Sequence, residues 1–158
     1  MTSTKIGTAT TLQPPRHQAT SGRPRRGLLV VDGAFLAIVG GIQVILELLS
    51  YYWGAGPHGA IFDQSDYTIG WVENHGLALL IGLLFLTVAA QDGRRVWHGF
   101  GLAVHLLLAT ANLTFWSSFV YFDLVPMGIA ATSAHVGFIA AHALWLTRNP
   151  RGQSAVTS

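Results

Sequence analysis

The chain has 158 residues, of which 51% are hydrophobic and only 10% charged, with a formal net charge of +2 and no cysteine. A soluble surface normally needs about a quarter of the residues to be charged, so this composition excludes an ordinary water-soluble domain. The lack of thiols excludes disulfides, thiolate metal sites and dithiol redox chemistry, and the small, dispersed basic excess gives nucleic-acid binding no support.

Residues 1–27 are rich in Thr, Ser, Pro and Arg without an apolar period, and read as a disordered cytoplasmic tail. The apolar run behind them is of full membrane length, which argues against a cleaved signal peptide. That first run covers 28–53, the second 71–90, the third 96–119 and the fourth 126–147. Each reaches the ~20 residues that cross ~30 Å of hydrocarbon at 1.5 Å per residue. The links between them are short, about 17, 5 and 6 residues, as antiparallel neighbours require. The expected fold is all-α: one polytopic domain over 28–147, an antiparallel four-transmembrane-helix bundle, with a second cytoplasmic tail at 148–158.

Orientation follows from Lys and Arg. Lys5, Arg16, Arg23, Arg25 and Arg26 precede the first run, Arg94 and Arg95 lie in the second link, and Arg148 and Arg151 follow the fourth run. All nine basic residues thus fall on one side, while Asp63, Asp66, Glu73 and Asp123 fall on the other. Both termini are expected to be cytoplasmic, in a multi-pass protein of the cell membrane. Aromatic residues mark both boundaries, with Tyr51, Tyr52, Trp53 and Trp71 outside and Trp97 and Trp145 inside.

An ionisable group inside a span costs about 2.5–3.5 kcal/mol on insertion scales and so calls for a reason. The polar groups here share faces. His98 and His105 are seven apart on the third span, and so are His135 and His142 on the fourth; seven residues return to within about 20° of the same direction. Asn112, Trp116, Gly101, Leu102 and Ala109 continue the first of these stripes, and Gly128, Ala131 and Thr132 the second. On the first span Asp32, Leu36, Gly40, Gln43 and Glu47 share a face; on the second, His75, Gly82, Leu86 and Ala89 do. Four inward stripes give a polar-lined core.

The third span runs outward and the fourth inward. Residue counts put His105 about 13 Å and His135 about 18 Å from the inner boundary, with His98 and His142 at about 3 Å and 8 Å. Two histidine pairs are therefore expected, one near mid-membrane and one near the inner face. Imidazole binds metals and haem when neutral and carries protons near neutral pH. The pairs thus point to a cofactor: one haem b, held by His105 with His135 or by His98 with His142, or a His-bound transition metal. A metal set drawn from His105, His135, His75, Glu47 and Glu73 is the other expectation. Two stacked haems do not fit, because seven residues span only about 10.5 Å.

Two other readings compete. Glu47, Gln43, Asp32, His105 and His135 form a broken polar path, which suits a small proton-coupled transporter or proton relay. Alternatively, the polar faces meet a partner membrane subunit or a second copy, and the protein is an accessory subunit. Asp32 reads as an interfacial residue favoured by the dipole near a helix start. Glu73 and His75 read as part of an interfacial first turn. Histidine also serves as hydrogen-bonding glue between helices. The sequence carries no nucleophile elbow, HExxH, Walker loop or dinucleotide fingerprint.

Overall fold

The computed structural model describes residues 23–91 and 95–148. The tails at 1–22 and 149–158, and the link at 92–94 with Arg94, lie outside the described residues. Among the described residues six helices follow in order: α1 Arg23–Trp53, α2 Gly59–Phe62, α3 Thr68–Gln91, α4 Arg95–Thr114, α5 Trp116–Tyr121 and α6 Val125–Arg148. Four of them, α1, α3, α4 and α6, are long and apolar enough to cross a membrane. The expected all-helical, four-span architecture is the one observed.

Three boundaries differ from the sequence reading. Helix α1 begins at Arg23, five residues before the apolar run, because Pro24 in a first turn needs no hydrogen-bonded N–H and its fixed φ suits a helix start. The outer link contains the short α2, held by the bond from Phe62 N–H to His58 O (3.2 Å). The third run is not one helix to 119. It stops at Thr114, and Phe115 (φ −101°, ψ 29°) turns the chain into α5. Thr114, Ser117 and Ser118 are modest helix formers, and the turn delivers the Phe119 ring onto Gly128 of α6. A Cβ added to Gly128 would lie 2.8 Å from that ring.

The helices form two hairpin pairs, α1 with α3 and α4 with α6. Within the first pair the backbones nearly touch. A Cβ on Gly82 would meet Ala37 N at 2.4 Å and Gly33 O at 2.6 Å, and one on Gly40 would meet His75 O at 2.7 Å. Small residues permit this approach, which is how helices associate where lipid removes the hydrophobic drive. Leu29, Leu36, Phe85 and Ala89 fill the remaining space as the buried apolar cluster. Ile38, Ile45, Leu80, Leu107 and Val136 are exposed, as lipid-facing side chains should be. At the far end Gly54 (φ +56°) ends α1, a left-handed position that glycine takes without steric cost.

The two pairs meet each other sparsely. Where they do meet, Asp32 of α1 reaches histidines of α4 and α6, and the Phe35 and Phe85 rings meet those of Phe138 and Phe100.

Candidate functional site: a buried carboxylate between two histidine arms

Asp32 lies on α1, nine residues beyond Arg23, past the first turn in which a helix dipole acts. The interfacial reading of this residue does not hold, for its side chain is wholly buried. Its two oxygens reach across to the other helix pair. His105 Nε2–H of α4 donates to Oδ1 at 2.8 Å, and His142 Nε2–H of α6 donates to Oδ2 at 2.8 Å. Each histidine then meets another: His105 Nδ1 lies 3.0 Å from His135 Nδ1, and His142 Nδ1 lies 3.1 Å from His98 Nδ1. The result is one continuous chain, His135–His105–Asp32–His142–His98, which draws on α1, α4 and α6.

Both histidine pairs expected from the spacing are brought together. The sequence stripe on α1 also holds, with Asp32, Leu36, Gly40 and Glu47 all buried. What sequence reasoning missed was the carboxylate joining the pairs. Part of the signal was present: the sequence put Asp32 on the inward stripe of α1 and in a broken polar path with His105 and His135.

An ionised carboxylate only accepts hydrogen bonds, and a neutral imidazole has one donor and one acceptor nitrogen. With Asp32 ionised, His105 and His142 must place their protons on Nε2. Their Nδ1 atoms then accept, so His135 and His98 donate from Nδ1. Every proton in the chain is thereby assigned, and both arms point at Asp32. A proton entering either arm shifts the bonds toward the centre and ends on the carboxyl. Direct passage from end to end needs one arm to reverse its tautomers.

Ring packing fixes the arms. His105 stacks on Phe138 (centroids 4.7 Å, 10° between planes), and His98 stacks on Trp145 (3.7 Å, 16°). Gly101 leaves the space through which they pass, since a Cβ there would lie 2.7 Å from His142 Nε2 and 3.2 Å from Asp32 Oδ2. The two ends differ. His98 is wholly buried beneath Trp145, and Arg95 Nη1 donates to Leu146 O (2.7 Å) nearby. His135, by contrast, lines a cavity of about 740 Å³ between the two helix pairs.

A second polar cluster stands at the far end. His75 Nδ1–H donates to Glu47 Oε1 at 2.5 Å. His58 is buried close by, and Ser50 Oγ–H donates to its carbonyl at 2.7 Å. Among the described residues, Glu47 Oε2 and His58 Nδ1 are buried without a hydrogen-bond partner. Burial holds His58 below its ordinary value of 6.5; the Glu47 charge opposes that shift and His75 adds to it.

The five residues expected to share a metal fall into separate places. His105 and His135 belong to the central chain, and Glu47 and His75 to the far cluster. Glu73 is exposed on α3, because two residues from His75 is about 200° around a helix. Among the described residues, no group of three or more His, Asp or Glu is arranged as a metal-ligand set. The pairs expected to hold a haem are in direct hydrogen-bond contact, at 3.0 Å and 3.1 Å. Asn112 instead donates to Thr132 Oγ1 (3.3 Å), tying α4 to α6. No protein-family model, curated protein or solved structure matches this chain, so the site is interpreted from its own chemistry: a membrane-spanning helical protein built around buried histidines.

Proposed function

We propose that this is a proton-exchanging membrane protein of the small proton-coupled transporter type, with Asp32 as the proton-binding group. One observation carries the reading: a carboxylate wholly buried between two spans' histidines, each backed by another histidine. Ionisable groups inside membrane spans are rare and mark substrate paths and proton relays. Imidazole is also the side chain that takes and gives protons near neutral pH. In this reading the proton enters from the cavity at His135, passes to His105 Nδ1 as His135 gives up its own Nδ1 proton, and reaches Asp32 Oδ1 from His105 Nε2. The arm of His142 and His98 is the closed exit, covered by Trp145. Release there requires that arm to reverse its tautomers, so uptake and release are separate steps, as coupled transport demands. The basic residues on the terminal side support cytoplasmic termini, and with that orientation the cavity would face the outer side.

Vibrational spectroscopy of the protein in lipid, titrated between about pH 4 and 9 where carboxyl and imidazole groups change charge, tests the reading. The expected result is a deuterium-sensitive protonated-carboxyl band that appears on acidification and is missing in Asp32→Asn. Identical spectra for wild type and Asp32→Asn would overturn it. A haem absorption band or stoichiometric metal, lost in His105→Ala, would replace it with the cofactor reading. A membrane partner that co-purifies stoichiometrically and covers the cavity would replace it with the accessory one.

A further inference from the structure

Two buried carboxyl groups of α1 reach the same cavity, each through one histidine. His135 lines it and is joined through His105 to Asp32. His75 lines it as well, and its Nδ1 is hydrogen-bonded to Glu47 Oε1 (2.5 Å). Fifteen residues of α1 separate Asp32 from Glu47, about 22 Å along the helix, so these are distinct sites and not one shared pair. Among the described residues, no Lys, Arg, Asp or Glu lines the cavity, and besides Tyr67 the two histidines are the titratable groups on its walls. Gln43, Tyr67, Asn74 and Asn112 supply hydrogen-bond partners for water inside it.

The outer link covers Glu47 from the other direction. Ser50, three residues beyond Glu47, donates to the His58 carbonyl at 2.7 Å and so holds the buried His58 and Phe62 over this end of α1. The Phe62 ring packs on His58 (centroids 5.8 Å) and on Trp71 (5.3 Å), and Trp71 packs on His75 (6.0 Å). Under this cap the Glu47 side chain keeps 1% of its exposure and that of His75 keeps 16%, so solvent meets the pair at the histidine. Glu47 Oε2 has no hydrogen-bond partner among the described residues, and no second side chain therefore offers the carboxyl a different route. His58 is the other titratable group close by, and its Nδ1 is likewise buried without a partner. Asp63, Asp66 and Glu73, also at this end, are exposed.

We infer that Glu47 is a second proton-exchanging carboxyl, and that Glu47 and Asp32 load and unload separately through one shared cavity, by way of His75 and His135. The Asp32 half rests on the proton-exchange reading; the Glu47 half does not. Imidazole takes a proton on one ring nitrogen and releases one from the other. Hydronium in the cavity thus becomes water, Glu47 gains a proton, and His75 ends neutral as it began. The single broken path expected from the sequence becomes two short ones that meet at the cavity.

Rapid-mixing infrared spectroscopy of the full chain in lipid tests this, by following hydrogen–deuterium exchange of each protonated-carboxyl band after transfer to heavy water at about pH 4, where carboxyl groups take up protons. Two bands are expected, one lost in Asp32→Asn and the other in Glu47→Gln. His75→Phe should slow exchange of the Glu47 band at least tenfold and leave the Asp32 band unchanged; His135→Phe should do the converse. The chain has no cysteine, so Ala131→Cys on the cavity wall can be labelled at one place with a pyrene maleimide. That label should slow both bands at least tenfold against the same protein unlabelled, as should Ala131→Trp against wild type. The label at Val136→Cys, on an exposed face, should slow neither. With both bands present, a plug that slows only one of them, or neither, would overturn the inference. Wild-type exchange of the Glu47 band in His75→Phe would do the same, because protons would then reach that carboxyl by another route. A missing Asp32 band beside a Glu47 band that the plug slows sinks only the proton-exchange reading of Asp32.

Discussion

The chemistry of this protein condenses on Asp32, and two substitutions separate its charge from its hydrogen bonds. In Asp32→Ala, His105 and His142 lose their acceptor inside a buried site, and each unmet donor costs roughly 1–3 kcal/mol. The thermal midpoint in detergent should fall by several degrees. In Asp32→Asn the carbonyl still accepts from one histidine, and the amide donates to the other once that ring moves its proton to Nδ1. Stability should then stay near wild type while the carboxyl band disappears. His58 carries a pH dependence of its own. Its pKa is depressed below 6.5 in the folded protein by burial, so its contribution to stability is complete above that value and is lost as the pH falls below it. Melting curves should show a decline on the acid side that His58→Asn flattens. The histidine pairs were legible in the sequence because seven residues return to one helix face. The role of Asp32 was not, because its partners lie 73 and 110 residues away and no local pattern names them.

At the level of helices, length and hydropathy made the four spans legible, since bilayer thickness sets both. The interruption at Phe115 escaped, because the apolar character of 96–119 continues through it and the docking of Phe119 on Gly128 is not visible in the sequence. The closest helix contact is the most exposed to mutation. Adding a methyl at Gly82 forces it against backbone atoms of Ala37 and Gly33 at 2.4 Å and 2.6 Å, which cannot move as a side chain can. Gly82→Ala should cost about 1–3 kcal/mol or more, as overpacking does, and should lower the denaturant midpoint of unfolding in detergent. Gly76→Ala, where nothing lies within 4 Å of an added Cβ, is the control that should hold it or raise it, since Ala is favoured over Gly in a helix by about 1 kcal/mol. The sequence showed Gly82 on an inward stripe, but the tightness of the contact depends on the register of α1 against α3.

Considered whole, the molecule is two helix pairs of unequal closeness. One pair is backbone against backbone; the junction between pairs is made by side chains, Asp32 with its histidines, the Phe35–Phe138 and Phe85–Phe100 ring contacts and the weak Gln43 Nε2–Met127 Sδ contact at 3.7 Å. Spin labels at 43 and 127 span that junction, while labels at 41 and 79 lie within one pair, where a Cβ on Gly41 meets Leu79 Cδ1 at 3.8 Å. In Asp32→Ala the first distance distribution should broaden and the second should stay narrow. An equal change in both would mean that the pairs are not separate mechanical units. The division into pairs was not legible in the sequence, which showed four similar inward faces and no sign of which would press together.

The position of Asp32 on the first span also sets an order of events during synthesis. Helices α1 and α3 can associate through Gly33, Gly40 and Gly82 as soon as both are made, yet the imidazoles that receive the carboxylate belong to α4 and α6. Until the ribosome has finished the last helix, the nascent hairpin holds an acid facing lipid. An incomplete chain therefore displays its own incompleteness to the proteases that survey the membrane. A fragment ending at residue 91 should be degraded faster in cells than the full chain, and Asp32→Leu in that fragment should slow its loss.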